Sequence, residues 1–225
     1  MTKKPFAPRA VLLDWDGTLL DSYASDTRAY LAMFRALKIE FSVAEIERHY
    51  SPNWHRIYVA AKIPKKHWVR ADRLWRRAYA SETPRLLPGA RSVLRQLRPR
   101  YQLGIVTGGS GLRVRKQIRL FEFHRHFSVC VYSEDTAKKK PHPAPLELAL
   151  KRIGMRAEEC VYVGDAPEDI EMARRAGAHA VGVLGPFPTA ERIRAAKPDV
   201  LLASIRELPK YLRSLHNRVS NVRAE

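Results

Sequence analysis

Four polar clusters in the 225-residue chain carry the residue types that phosphoryl transfer requires. They are Asp14-Trp15-Asp16-Gly17-Thr18, Thr107-Gly108-Gly109-Ser110, Lys138-Lys139-Lys140-Pro141-His142-Pro143 and Gly164-Asp165-Ala166-Pro167-Glu168-Asp169. A carboxylate attacks phosphorus only when its own charge and that of the phosphate are partly neutralised, which metal ions and fixed cations do. Asp14 and Asp165, brought together, make a hard, oxygen-rich site suited to Mg²⁺. Asp16, two residues beyond Asp14 in extended chain, points to the same side. It is placed to protonate a leaving oxygen and then to deprotonate an attacking water. Thr107 offers a hydroxyl, and the glycines behind it, Gly108 first, let backbone N–H groups approach a phosphate closely. Lys140 supplies a fixed positive charge, and Asp169 is expected to hold Lys140 or a metal-bound water.

Such residues work only if the fold gathers them. Three of the clusters directly follow short apolar runs: Ala10–Leu13, 101–106 and 160–163. Further runs lie at 129–132, 180–183 and Val200–Leu202. Runs this short, apolar on both faces and bounded by Gly, Asp or Pro, read as parallel strands covered on both sides. Between them helical patterns fall at 91–97, 111–121, Ala144–Ile153 and Pro167–Ala176, the last opening on a proline and closing before Gly177. The alternation predicts an α/β domain with a doubly wound parallel sheet, in which ligands bind at the carboxyl ends of the strands.

The stretch 21–87 breaks this rhythm. It holds Trp54, Trp68 and Trp75 but no strand-like run, and reads as helices at 25–37, 43–50 and 65–81. The expected organisation is a catalytic core from 1–20 and 88–225, with 21–87 as an inserted helical cap. Residues 217–225 are expected to fray.

Each cluster also has an ordinary reading. Asp14 and Asp16 fit a turn, Asp165 a helix N-cap, and Ser110 the N-cap of the helix at 111–121. Lys138 and Lys139 read as solvated neighbours of Lys140, and His142 as a loop residue. Trp15 points away from the flanking aspartates into packing, while Trp68 and Trp75 share a helical face suited to a cap core. Asn53, His55 and Arg56 sit in a proline-containing break between helices, where a loop could reach the site and select substrates.

Taken in order, the four clusters resemble the motifs of the haloacid dehalogenase superfamily, near its phosphoglycolate phosphatase and β-phosphoglucomutase branch. Asp14, Asp16, Gly17 and Thr18 match the Asp-x-Asp-Gly-Thr motif, Thr107 the strand-closing Thr, Lys140 the Lys before proline, and Gly164, Asp165 and Asp169 the Gly-Asp-x-x-x-Asp motif. The resemblance implies Asp14 as nucleophile, Asp16 as acid/base, and Mg²⁺ held by Asp14, the backbone carbonyl of Asp16, and Asp165. It implies hydrolysis of a small phosphorylated metabolite through an aspartyl-phosphate. Asp16 argues against dehalogenation, which needs no proton donor. A phosphomutase keeps the same motifs and is the alternative enzyme.

Charge bears on partners. Lys and Arg number 41 against 23 Asp and Glu, a formal +18, and no acid lies between Glu82 and Glu122. Such a field attracts anions generally, so a nucleic-acid-binding module is the competing class. Without aromatic interleaving or a nucleic-acid motif there, only weak, non-specific binding is expected. On this reading Arg113, Lys116 and Arg119 lie on roughly one side of the helix after Thr107, and replacing them together should change turnover only slightly. The N-terminus lacks a signal-like apolar core, and no apolar run approaches the roughly 18 residues of a membrane span. The two cysteines lie in strand-like runs. A cytoplasmic protein that does not enter membranes is expected, of undetermined oligomeric state.

Overall fold

A computed structural model describes residues 6–222. Its centre is a six-stranded parallel sheet formed by β1 (Ala10–Leu13), β4 (Gln102–Val106), β5 (Val129–Val131), β6 (Cys160–Gly164), β7 (His179–Val183) and β8 (Val200–Leu202), in the order β5-β4-β1-β6-β7-β8. Strand β1 is central and wholly buried, because Leu12 and its neighbours meet helices on both faces. Leu13 lies opposite Ile105 of β4 and Val163 of β6, so three strands end level with one another. The chain leaves β1 for one side of the sheet and returns to its other side. The switch in strand order thus falls at β1, where a crevice opens at the carboxyl ends.

One face is covered by α5 (Ala90–Leu97), α6 (Gly111–Leu120) and α10 (Leu208–Val222), the other by α7 (Ala144–Ile153), α8 (Pro167–Ala176) and α9 (Ala190–Ala195). Each helix buries an apolar stripe, such as Val93, Leu94 and Leu97 on α5. Helix α8 begins on its proline and ends at Gly177, whose φ of 80° is the left-handed turn that glycine adopts without penalty. This is the predicted doubly wound α/β architecture.

Between β1 and the rest of the sheet lie α1 (Tyr23–Leu37), α2 (Val43–His49), α3 (His55–Ala60) and α4 (Trp68–Tyr79) around a separate apolar cluster that includes Tyr30, Phe34, Ile57 and Tyr58. Helix α2 opens with a capping box, Ser42 and Glu45 each satisfying the other's backbone N–H. Two expectations are corrected here. The stretch 65–81 is not one helix: Lys65–His67 form a 3₁₀ turn after Pro64 before α4 starts. Nor is the segment free of strand, since β2 (Leu20–Asp21) pairs antiparallel with β3 (Arg85–Leu86) and ties its two ends together. Of 217–225, expected to fray, the backbone is helical to Val222 and the remainder lies outside the described residues. Among the described residues no helix is long and apolar enough to cross a membrane.

Candidate active site

Asp14 is the first residue past β1. Its backbone N–H donates to the Val163 carbonyl at 2.9 Å, which fixes it between the ends of β4 and β6. Carboxylate Oδ1 accepts from the Trp15 backbone N–H at 2.7 Å and lies 3.1 Å from the Lys140 ammonium, while Oδ2 has no protein donor among the described residues. Burial, opposed by Lys140 and assisted by Asp169 and Asp16, pushes the Asp14 carboxyl up to about 7. Lys140 is itself buried, and its ammonium donates to Asp169 Oδ1 at 2.7 Å. Asp169 also accepts from the Ala166 N–H and the Tyr162 hydroxyl, so it is anchored and fixes Lys140 against Asp14. Tyr162 was not foreseen, because within an apolar strand a tyrosine reads as packing.

Asp165 meets Asp14 as the spacing required. Its Oδ1 accepts from the Thr18 hydroxyl at 3.0 Å, but Oδ2 is buried with no partner. Burial first, then Asp169 and Asp14, raise its carboxyl well above the usual range. Asp14, Asp165 and Asp169 each bring an oxygen within 4.8 Å of the others. Gly17, with φ of 76°, lets the backbone turn beside this group, where a Cβ would sit 2.1 Å from Asp165 Oδ2. An unpartnered buried carboxylate oxygen is costly unless a cation meets it. The donor set is all oxygen and fits a hard divalent ion such as Mg²⁺.

Asp16 brings the largest departure from expectation. Arg113 on α6 grips its carboxylate with both guanidinium arms, the Nη1–Oδ1 bond measuring 2.9 Å. Burial alone would raise the Asp16 carboxyl, yet Arg113 holds it below the usual range. The guanidinium lies 5.0 Å from the Tyr79 ring and 6.0 Å from that of Trp75, both on α4. Arg113 is therefore part of the site and not of a remote basic face, whereas Lys116 and Arg119 are exposed. Its neighbour Trp15 packs as expected, wholly buried with its indole N–H on Gln117.

Thr107 directly follows β4 in a buried position, its hydroxyl accepting the Gly109 N–H at 3.0 Å. Gly108 follows in tight quarters: a Cβ there would lie 2.5 Å from the Pro52 carbonyl oxygen. The loop before α3 thus presses on the sheet edge. Its site-facing residues are not the expected three. Tyr50, Ser51, Pro52 and Trp54 line the cavity over Asp14, whereas His55 stacks on Trp68 and Arg56 pairs with Glu168 at 2.7 Å. Asn53 directs its N–H to Ser51, and its buried Oδ1 has no partner. A break between helices has no periodicity to say which of its residues turns inward. Asp26 on α1 also lines the cavity and was missed, since an acid in a helix's first turn reads as a solvated dipole partner.

The flanking residues divide. Ser110 occupies the N-cap position without making the side-chain bond expected of it. Lys139 is not a solvated neighbour, because its ammonium binds the Ser133 and Thr136 carbonyls and staples the loop. Lys138 is exposed, and His142 accepts the Ala144 N–H in its loop, as expected.

A doubly wound sheet that carries Asp-x-Asp, Thr, Lys and Asp groups at one edge defines the haloacid dehalogenase class of hydrolase. The haloacid dehalogenase-like hydrolase family matches residues 11–183, and the chain belongs to it. It is 30% identical over 228 residues to the phosphoglycolate phosphatase of Shigella dysenteriae, covering 89% of this chain and 90% of that one. A hydrolase from Pseudomonas syringae superposes with a TM-score of 0.83 at 23% identity, covering 92% and 98% of the two chains. CbbY from Rhodobacter sphaeroides, solved with phosphate, gives 0.77 at 24% identity over 89% and 96%. Within the family the chain is phosphoglycolate phosphatase-like. It is a phosphatase, a phosphoric monoester hydrolase.

Proposed function

We propose that the protein hydrolyses a small phosphate monoester with Mg²⁺, through a phosphoryl group carried transiently on Asp14. The observation that carries this is the asymmetry of Asp14, which lines the cavity: two donors occupy Oδ1, and Oδ2 has none among the described residues. In the first step Asp14 attacks phosphorus in line as the ester P–O bond breaks, and Asp16, which enters the cycle with a proton taken from solvent and its Arg113 contact given up, passes that proton to the departing oxygen. In the second Asp16 takes a proton from water, whose oxygen attacks phosphorus and releases phosphate and free Asp14. Thr107, the N–H groups around Gly108, and Lys140 bind the transferring group's oxygens. Asp14, Asp165 and the Asp16 carbonyl would hold the Mg²⁺, which supplies charge neutralisation between nucleophile and phosphate. Asp169 positions Lys140. Residues 21–87 act as a cap over the core formed by 1–20 and 88–225, with the β2–β3 ribbon at the junction.

The test is turnover of an aryl phosphate by wild type and Asp14→Asn, each with Mg²⁺ and with excess chelator. Both removing the carboxylate and removing the metal should abolish turnover while leaving the circular dichroism spectrum of the fold intact. Activity surviving either change contradicts the proposal.

A further inference from the structure

The loop that lines the cavity over Asp14, residues 50–54, is held from two sides. Within the helical segment, Trp54 donates its indole N–H to Asp72 at 3.0 Å. Three core residues hold it from the other side. Glu168 on α8 accepts from the Ser51 hydroxyl at 2.8 Å and from Arg56 at 2.7 Å, both on its Oε1. Arg192 on α9 donates to the Tyr50 carbonyl at 2.8 Å. Phe187, between β7 and α9, stacks on the Tyr50 ring with centroids 4.0 Å apart.

We propose that Glu168 is a positioning residue for phosphoryl transfer, a latch that seats this loop over Asp14 from the turn that also carries Asp165. The kinetic part of the inference rests on the phosphatase reading above; the seating itself does not.

Glu168 stands at an open position of the Gly164-Asp165-x-x-x-Asp169 motif, so the motif chemistry does not account for it. An acid in a helix's first turn ordinarily offsets the helix dipole from the surface. Glu168 is instead 2% exposed, and its Oε1 is given to residues 117 and 112 positions earlier in the chain. Its Oε2 is buried without a partner among the described residues. A buried carboxylate needs charge-assisted donors, and both of the side chains that donate to Glu168 belong to the loop and the start of α3. Glu168 does not line the cavity, so it acts through the loop. The loop is also referenced to the proposed metal ligand. Glu168 lies three residues beyond Asp165, and the Thr189 hydroxyl donates to the Asp165 carbonyl at 2.6 Å, which ties the segment bearing Phe187 to the same turn. Tyr50 and Ser51 are thereby placed relative to the carboxylates and not only relative to α1–α4. A misplacement of about 1 Å near reacting groups can cost on the order of a hundred-fold in rate.

The experiment follows amide hydrogen exchange of the peptide spanning 50–56 in the full chain, together with kcat/KM on nitrophenyl phosphate with Mg²⁺. Glu168→Ala should speed exchange in that peptide by at least about three-fold and leave peptides from β1 and β4 unchanged, because local opening is separable from global stability. It should lower kcat/KM by about ten-fold or more, and Glu168→Gln, which keeps an acceptor for Ser51, should lower it less. Ser51→Ala and Arg56→Gln address the same contact from the other side and carry the test if Glu168→Ala does not fold. Each should cost less in a Glu168 variant than in wild type, since partners in one contact are not additive. Unchanged exchange at 50–56 or unchanged kcat/KM overturns the inference. Fully additive losses also overturn it, because they mark an acid that only stabilises α8. Exchange that responds as expected in a chain unable to turn over the ester upholds the seating and overturns the phosphatase reading.

Discussion

Asp16 and Arg113 show how one contact changes the meaning of a residue. From sequence Asp16 is half of an acid pair, and Arg113 is one of nine cations in an acid-free stretch. In the fold they form a two-armed ion pair that aims the Asp16 carboxylate and favours its ionised, proton-accepting form. Arg113→Gln should therefore lower kcat by about ten-fold or more, with partial recovery in Arg113→Lys, because a misplaced carboxylate loses most of its contribution to proton transfer. Replacing exposed Lys116 and Arg119 together should change kcat less than two-fold, roughly, as surface changes do. Steady-state kinetics on the three variants checks both statements.

Asp26 carries a separate consequence for stability. Burial first, and the Asp16 charge second, push its carboxyl up to about 8, against 3.8 for a free side chain. A carboxyl raised on folding binds its proton more tightly in the native state. Its stabilising contribution is complete below the unfolded pKa and is lost as pH climbs through about 8. Asp26→Asn should gain melting temperature relative to wild type on passing from about pH 4.5 to about pH 8.5, measured without metal or phosphate. A difference that does not change across that range contradicts the assignment.

At the scale of elements, the sequence disclosed most where a pattern repeats. Strand β8 and helices α7 and α8 fall on their predicted bounds, because apolar runs and Pro and Gly end signals mark them physically. The ribbon β2–β3 escaped notice, since two-residue strands have no alternation to read. The motif residues were legible because their chemistry constrains both type and spacing. The inward residues of the loop before α3 were not, because tertiary contact alone selects them. That contact yields a prediction. Gly108→Ala would set a methyl 2.5 Å from the Pro52 carbonyl, and backbone cannot yield as a side-chain tip does. The loop must lift, and kcat/KM should fall by about ten-fold or more with little change in melting temperature. An unaffected rate would show that the loop's seat on the sheet edge is not needed for turnover.

For the whole molecule, the excess of positive charge acquires several local uses. Arg113 serves the site, while Arg91 lies over Phe123 at 5.0 Å and Arg115 over Tyr132 at 4.6 Å, so part of the basic stretch is packing. The remainder should steer anionic substrate. Raising ionic strength should then lower kcat/KM while kcat stays nearly constant, and binding to duplex DNA should be weak and salt-labile. Nucleic-acid binding that persists at physiological salt would instead assign this surface to a polyanion.

The covalent step at Asp14 is the centre of the proposed mechanism. The most direct measurement is rapid acid quench of the enzyme during turnover, borohydride trapping of any acyl-phosphate, and peptide mass spectrometry. The account predicts reduction at Asp14 that requires both substrate and Mg²⁺ and is absent from Asp14→Asn. An unmodified Asp14 in enzyme shown to be turning over, or a trapped phosphoryl group on another residue, would contradict it.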